Sequence, residues 1–138
     1  MIRNTFKKAE RLTNKRIFES IFESGKSISV FPFKLIWIET NTTSPTPLSL
    51  RSGVVGEAQL GISVPKKSFA KAVDRNTIKR RIRESYRKNK HSLYEMLKEK
   101  NLSIALMIIY ISKEELPYQE IEKKMIVSLQ KVQEIINV

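Results

Sequence analysis

Cysteine is absent from this sequence, which excludes disulfides, thiolate metal sites and cysteine nucleophiles together. Histidine occurs once, as His91, so neither a histidine-rich metal site nor a histidine acid–base pair can be assembled. Aspartate also occurs once, as Asp74, and the other acids are glutamates scattered along the chain. A self-sufficient metal nuclease needs carboxylates converging on two cations roughly 3.5–4 Å apart, and nothing here is spaced to provide them. Long apolar runs are missing too. The longest, Leu102 to Ile111, is about half the ~20 residues that span a bilayer, and the start, Met1-Ile2-Arg3-Asn4-Thr5-Phe6-Lys7-Lys8, has no apolar stretch of signal-peptide kind. The expectation is a cytoplasmic protein that takes no membrane and no small-molecule substrate as partner.

What the chain has in abundance is positive charge, and that charge is localised. At 138 residues the chain is expected to form a single domain over 1–138, and its net charge is +12. Residues 66–90 hold eleven of the 26 Lys and Arg and only two acids, Asp74 and Glu84, which gives that stretch +9 by itself. Residues 1–16 add +5, and the segments 17–65 and 91–138 each come to −1. A pI near 10 with the excess confined to two segments points to nucleic acid or an anionic membrane surface.

Ile78, Ile82 and Tyr86 recur every fourth residue and make one apolar stripe on a helix. Asp74 is placed to act as its N-cap, where a carboxylate accepts from free amides and suits the positive end of the helix dipole. Arg75, Lys79, Arg83 and Arg87 run beside the stripe, and Asn76 and Arg80 continue that flank. A merely solvated helix mixes signs at i,i+4, because like charges at that spacing repel by roughly 0.2–0.5 kcal/mol per pair. Arg75, Lys79, Arg83 and Arg87 stand four apart with no acid among them, so an anionic partner would relieve the repulsion. A membrane-surface helix needs a broad apolar face, and this stripe is narrow.

Around that helix the other elements follow in order. Residues 1–12 read as a basic extended arm. Thr13 or Asn14 can cap a helix reaching about Ser24, with Ile17, Phe18, Ile21 and Phe22 on one face and Gly25 as a left-handed terminator. Residues 27–39 read as strand, divided or bulged at Pro32, with Phe33, Leu35 and Trp37 on one face and Lys34, Ile36 and Ile38 on the other. Residues 40–56, punctuated by Pro45, Pro47, Gly53 and Gly56, form a long flexible loop. A strand over Glu57–Val64 ends at Lys66 and Lys67. Residues 91–101 extend the basic helix or fray from it, with His91 at the surface. Leu102–Ile111 is an interior strand, and Pro117 suits the first turn of a last helix carrying Ile121, Met125, Leu129, Val132 and Ile136 at helical spacing.

The run Ser63-Val64-Pro65-Lys66-Lys67 followed by Ala72-Val73-Asp74-Arg75-Asn76-Thr77-Ile78-Lys79-Arg80-Arg81-Ile82-Arg83-Glu84-Ser85-Tyr86-Arg87 resembles the signature of the protein subunit of bacterial ribonuclease P. That family carries a Ser-Val-x-Lys-Lys strand end, a short connection, and Arg-Asn-Arg-x-x-Lys-Arg-x-x-Arg-Glu on a helix. Thr77 stands where the second Arg of Arg-Asn-Arg is usual, and Arg81 lies on the same side of the helix as a substitute. The elements taken in order give α-β-β-β-α-β-α, an α+β sandwich of one sheet with helices, and the resemblance implies the two-layer ribosomal protein S5 domain 2-like type, with a left-handed β-α-β crossover that patterning alone does not reveal.

The resemblance also implies roles. Lys66, Lys67, Arg75, Asn76, Lys79, Arg80 and Arg83 would bind the backbone of the catalytic RNA and help organise metal sites near the scissile bond. Mg²⁺ would be held mainly by that RNA, which would carry out the hydrolysis. Phe18 and Phe22 match a Phe-x-x-x-Phe pair bordering the cleft for the single-stranded 5′ leader of precursor tRNA, where aromatic faces stack on unpaired bases. Lys34 and Ile36 would line the same cleft, with Ile36 where the family usually has a tyrosine. Two other readings remain. A ribosomal or other structural RNA-binding protein would account for the charge and the helix but not for the density of matches in 63–87. A DNA-binding regulator would require a helix-turn-helix entry, whereas a strand precedes this helix.

Overall fold

The computed structural model describes residues 15–40 and 58–137. The arm expected over 1–12, the cap at Thr13 or Asn14, and the 40–56 loop apart from Thr40 lie outside the described residues. Four strands, β1 (Lys26–Val30), β2 (Phe33–Glu39), β3 (Ala58–Ser63) and β4 (Ile104–Tyr110), form one sheet in the order β1-β2-β4-β3. β1 pairs antiparallel with β2 and β2 with β4, while β3 runs parallel to β4. Four helices accompany them: α1 (Lys15–Ser24), α2 (Ala72–Asn89), α3 (His91–Glu99) and α4 (Tyr118–Ile136).

Pro32 divides the first β stretch as its missing N–H requires, leaving a hairpin whose tip is Phe31-Pro32. The apolar run before Ile111 becomes the interior strand β4, paired on both edges. Alternation along β2 separates two cores. Phe33, Leu35 and Trp37 join Leu60, Leu106, Ile108 and Tyr110 in the main core under α2, α3 and α4. Ile36 joins Ala105 and Met107 on the opposite face, where Ile17 and Ile21 of α1 cover them.

The stripe of Ile78, Ile82 and Tyr86 is fully buried, each at 0% exposure, which contributes roughly 1.5–3 kcal/mol per side chain. Tyr86 and Tyr94 meet edge to face with centroids 6.5 Å apart and hydroxyls 3.2 Å apart, and the Tyr94 hydroxyl donates to the Ala58 carbonyl at 3.2 Å. That chain of contacts fixes the α2–α3 corner against β3.

Several expectations need correction. α2 begins at Ala72 with Lys71 as its N-cap residue, so Asp74 sits inside the first turn, where it still suits the dipole but caps nothing. The segment after α2 is a separate helix, α3, and His91 at its start is half-buried. Pro117 occupies the N-cap position of α4 instead of its first turn.

Gly25 is not in the left-handed region either. A Cβ there would collide with the Ile21 carbonyl oxygen and approach Ile36 Cγ2 to 2.7 Å, so glycine is required by close packing of the α1 end on β2. The left-handed terminator is Asn101, with φ 56°, where Leu102 N donates to Leu97 O at 2.9 Å and Asn101 N to Lys98 O at 3.1 Å. Among the described residues no helix is long and apolar enough to cross a membrane.

Candidate nucleic-acid interface

The buried stripe orients α2 and thereby sorts its bases onto two flanks. On the flank toward α4, Arg81 donates to the Leu116 carbonyl at 2.8 Å and pairs with Glu115 at 3.3 Å. Lys88 lies 5.6 Å from the Tyr118 ring centroid and 4.0 Å from Glu84. Asn89 donates to Glu122 at 3.1 Å, and the Tyr118 hydroxyl donates to the same carboxylate oxygen at 3.1 Å. Arg87 is held by Glu84 through Nε at 3.1 Å and through a second nitrogen on the other oxygen. That pairing lowers the Glu84 pKa and raises that of Arg87.

The other flank carries Asn76, Lys79, Arg80 and Arg83, which lie side by side around the helix from the edge of the stripe toward solvent. Among the described residues these side chains have no hydrogen bond or ion pair within the protein, and Asn76, Arg80 and Arg83 are exposed. The expected band is therefore real but narrower than the run of bases in sequence. Arg81, which could have substituted for the missing arginine at Thr77, is committed to the α4 side, and the Thr77 hydroxyl donates to the Val73 carbonyl at 3.0 Å.

Arg75 is bonded within the protein. Its Nη1 donates to the carbonyls of both Phe69 and Ala70 at 2.9 Å, clamping the turn after β3 onto the first turn of α2. Phe69 is itself buried, with its ring 5.9 Å from that of Tyr110. Lys66 and Lys67 stand exposed on this clamped turn, without protein partners among the described residues. Two cations are thus presented from a fixed loop at the N-terminal end of the helix band.

On the far face of the sheet, α1 places Phe18 half-buried and Phe22 59% exposed, above the Ile36–Met107 row. Ile36 is only 8% exposed, packed beneath α1, so it supports this surface more than it lines it. Lys34, one row further along β2, is exposed. The registers pair Ser29 with Lys34, Lys34 with Ile109 and Ile109 with Ser63, a straight row crossing all four strands. Ser63 leads directly to the Lys66-Lys67 turn, which joins the α1 surface to the cationic one. Sequence reading did not place Ser29, Ile109 and Ser63 in line with Lys34, because only the register aligns them.

Chemically, this surface offers donors, cations and aromatic faces. Among the described residues no three His, Cys, Asp or Glu side chains gather to hold a metal ion. Cations of this kind are the chemistry that neutralises a polyanion, and exposed aromatic faces are the chemistry on which unpaired bases stack.

Comparison with known proteins gives a consistent result. The family model described as Ribonuclease P matches residues 6–133. A "Ribonuclease P protein component" of Porphyromonas gingivalis is 32% identical over 122 residues, covering 88% of this chain and 82% of that protein. One from Legionella pneumophila is 42% identical over 82 residues, 59% of this chain and 60% of the other. Among solved structures, the RNase P protein from Thermotoga maritima superposes with a TM-score of 0.63 at 26% identity, covering 88% of this chain and 96% of that one. The Staphylococcus aureus RNase P protein shares the fold, with a TM-score of 0.61 at 24% identity, covering 91% and 95%.

Proposed function

The chain belongs to the ribonuclease P protein family, and from that premise we propose how its two surfaces serve the enzyme that matures tRNA 5′ ends. Lys66, Lys67, Asn76, Lys79, Arg80 and Arg83 lie along the backbone of the catalytic RNA, and Arg75 fixes the turn that presents the first two. Phe18, Phe22 and Lys34 form the groove that receives the single-stranded 5′ leader of precursor tRNA, with Ile36 packed beneath them. Hydrolysis and the Mg²⁺ it requires belong to the RNA. The protein contributes charge neutralisation, substrate positioning and a cationic border near the metals.

The observation that carries this reading is the division of α2. Arg81 and Lys88 are engaged by Glu115, Leu116 and Tyr118, and Arg75 and Arg87 are held by Phe69, Ala70 and Glu84, while Asn76, Lys79, Arg80 and Arg83 are left without protein partners among the described residues. A helix stabilised for its own sake would pair both flanks.

The test is the salt dependence of catalytic-RNA binding. Each phosphate contact removed should reduce the log–log slope by about one, so Lys79→Ala, Arg80→Ala and Arg83→Ala flatten it while Arg81→Ala and Lys88→Ala leave it unchanged. Equal slopes for both sets of variants would refute the assignment of the flank.

A further inference from the structure

We propose that the leader groove continues past Lys34 to the tip of the β1–β2 hairpin, where Phe31 stacks on a further unpaired base of the leader. The inference rests on the reading of the α1 surface just given and extends it by one site. Among the described residues two phenylalanines are exposed, Phe22 at 59% and Phe31 at 61%, and both border the same stretch of β2. Phe22 stands on α1 beside the covered end of the sheet face; Phe31 stands at the open end, directly beyond the Ser29–Lys34 pair.

The tip is not a free loop. Ile111 N donates to the Pro32 carbonyl at 2.8 Å, which ties the tip to the end of β4. Ile111 shares the parity of Ile109, the partner of Lys34, and is 43% exposed. The end of the groove is therefore a fixed apolar patch of Phe31 and Ile111 next to an exposed ammonium at Lys34. An apolar patch of that size alone would suit many partners. Beside a cation, and in line with a second exposed aromatic over the same face, it suits a chain that alternates phosphate and flat base, because every base has a π-face while its backbone needs neutralising. Burial of Val30 and Phe33 holds both arms of the hairpin, so Phe31 pays little ordering entropy on binding.

The test uses the holoenzyme reconstituted from the full chain, catalytic RNA and Mg²⁺, with precursor tRNAs whose leaders lengthen one nucleotide at a time. Replacing a stacked aromatic by alanine costs about 5- to 150-fold in affinity. Phe31→Ala should lose that much with the longest leader, the loss should shrink as the leader shortens, and Phe31→Trp should restore it. In the wild-type complex 2-aminopurine at the matching leader position should be quenched, and Phe31→Ala should relieve the quenching. If Phe22→Ala weakens leader-dependent binding and Phe31→Ala does not, the extension is wrong and the groove stands. If neither variant depends on the leader, both fail. A Phe31→Ala loss that is the same at every leader length would also overturn the proposal.

Discussion

At Arg75 a single guanidinium nitrogen serves two carbonyls, Phe69 and Ala70, so this side chain shapes the turn that carries Lys66 and Lys67. Arg75→Ala removes interactions worth on the order of 1 kcal/mol and should speed amide exchange over residues 66–71. Catalytic-RNA affinity should fall even though Lys66 and Lys67 are intact. Unchanged exchange in that turn would show that Arg75 does not organise it. Gly25 offers a second test at this scale. Gly25→Ala pushes a methyl into the Ile21 carbonyl and Ile36 Cγ2, so thermal unfolding should show a loss of roughly 1–3 kcal/mol, and an unperturbed midpoint would contradict the close packing. Sequence pointed to glycine at this position, but for the wrong physical reason: a helix followed by glycine reads as a left-handed terminator, whereas the constraint comes from the Ile21 carbonyl of the same helix and from Ile36 of a strand that only the fold brings near.

The α2 element explains why its bases were partly legible. Periodicity in Ile78, Ile82 and Tyr86 is local, so the buried stripe could be read directly, and the flanks followed from helix geometry. Which flank stays free is decided by α4 and the segment leading into it, some thirty residues later, through Glu115, Leu116, Tyr118 and Glu122. No pattern within 66–90 carries that information, so the bonds of Arg81 to Glu115 and Leu116 could not be read from it.

The same contacts make a pH prediction. Burial, then the hydrogen bond to Glu122, raises the Tyr118 phenol from 10.0 to about 12. A folded pKa above the unfolded one gives stability that is complete below about pH 10 and is lost as pH rises toward 12. Tyrosinate absorbance should therefore contain a late-titrating component that Tyr118→Phe abolishes, and the variant should lose less stability than wild type over that window. An equal loss of stability in wild type and variant between pH 10 and about 12 would count against the α2–α4 contact.

Across the whole molecule, strand and helix order was legible because each element carries its own periodicity, and Pro32 marked its own hairpin. The separation of α3 from α2 was not, since Lys90 keeps helical angles and the break is a tertiary turn held by Tyr86, Tyr94 and Ala58. The row from Ser29 through Lys34 and Ile109 to Ser63 was hidden for a related reason: it exists only in the register of three strand pairs. That row connects the α1 groove to the Lys66-Lys67 turn, and so connects the two surfaces proposed for leader and catalytic RNA.

Cleavage of precursor tRNA at moderate salt and Mg²⁺, compared for protein alone, catalytic RNA alone and the two together, tests the central claim most directly. The account predicts no scission by RNA-free protein, cleavage by the RNA, and faster cleavage by the complex, with the advantage largest for substrates carrying a leader of several nucleotides. Scission by the protein alone, or an advantage independent of the leader, would contradict it.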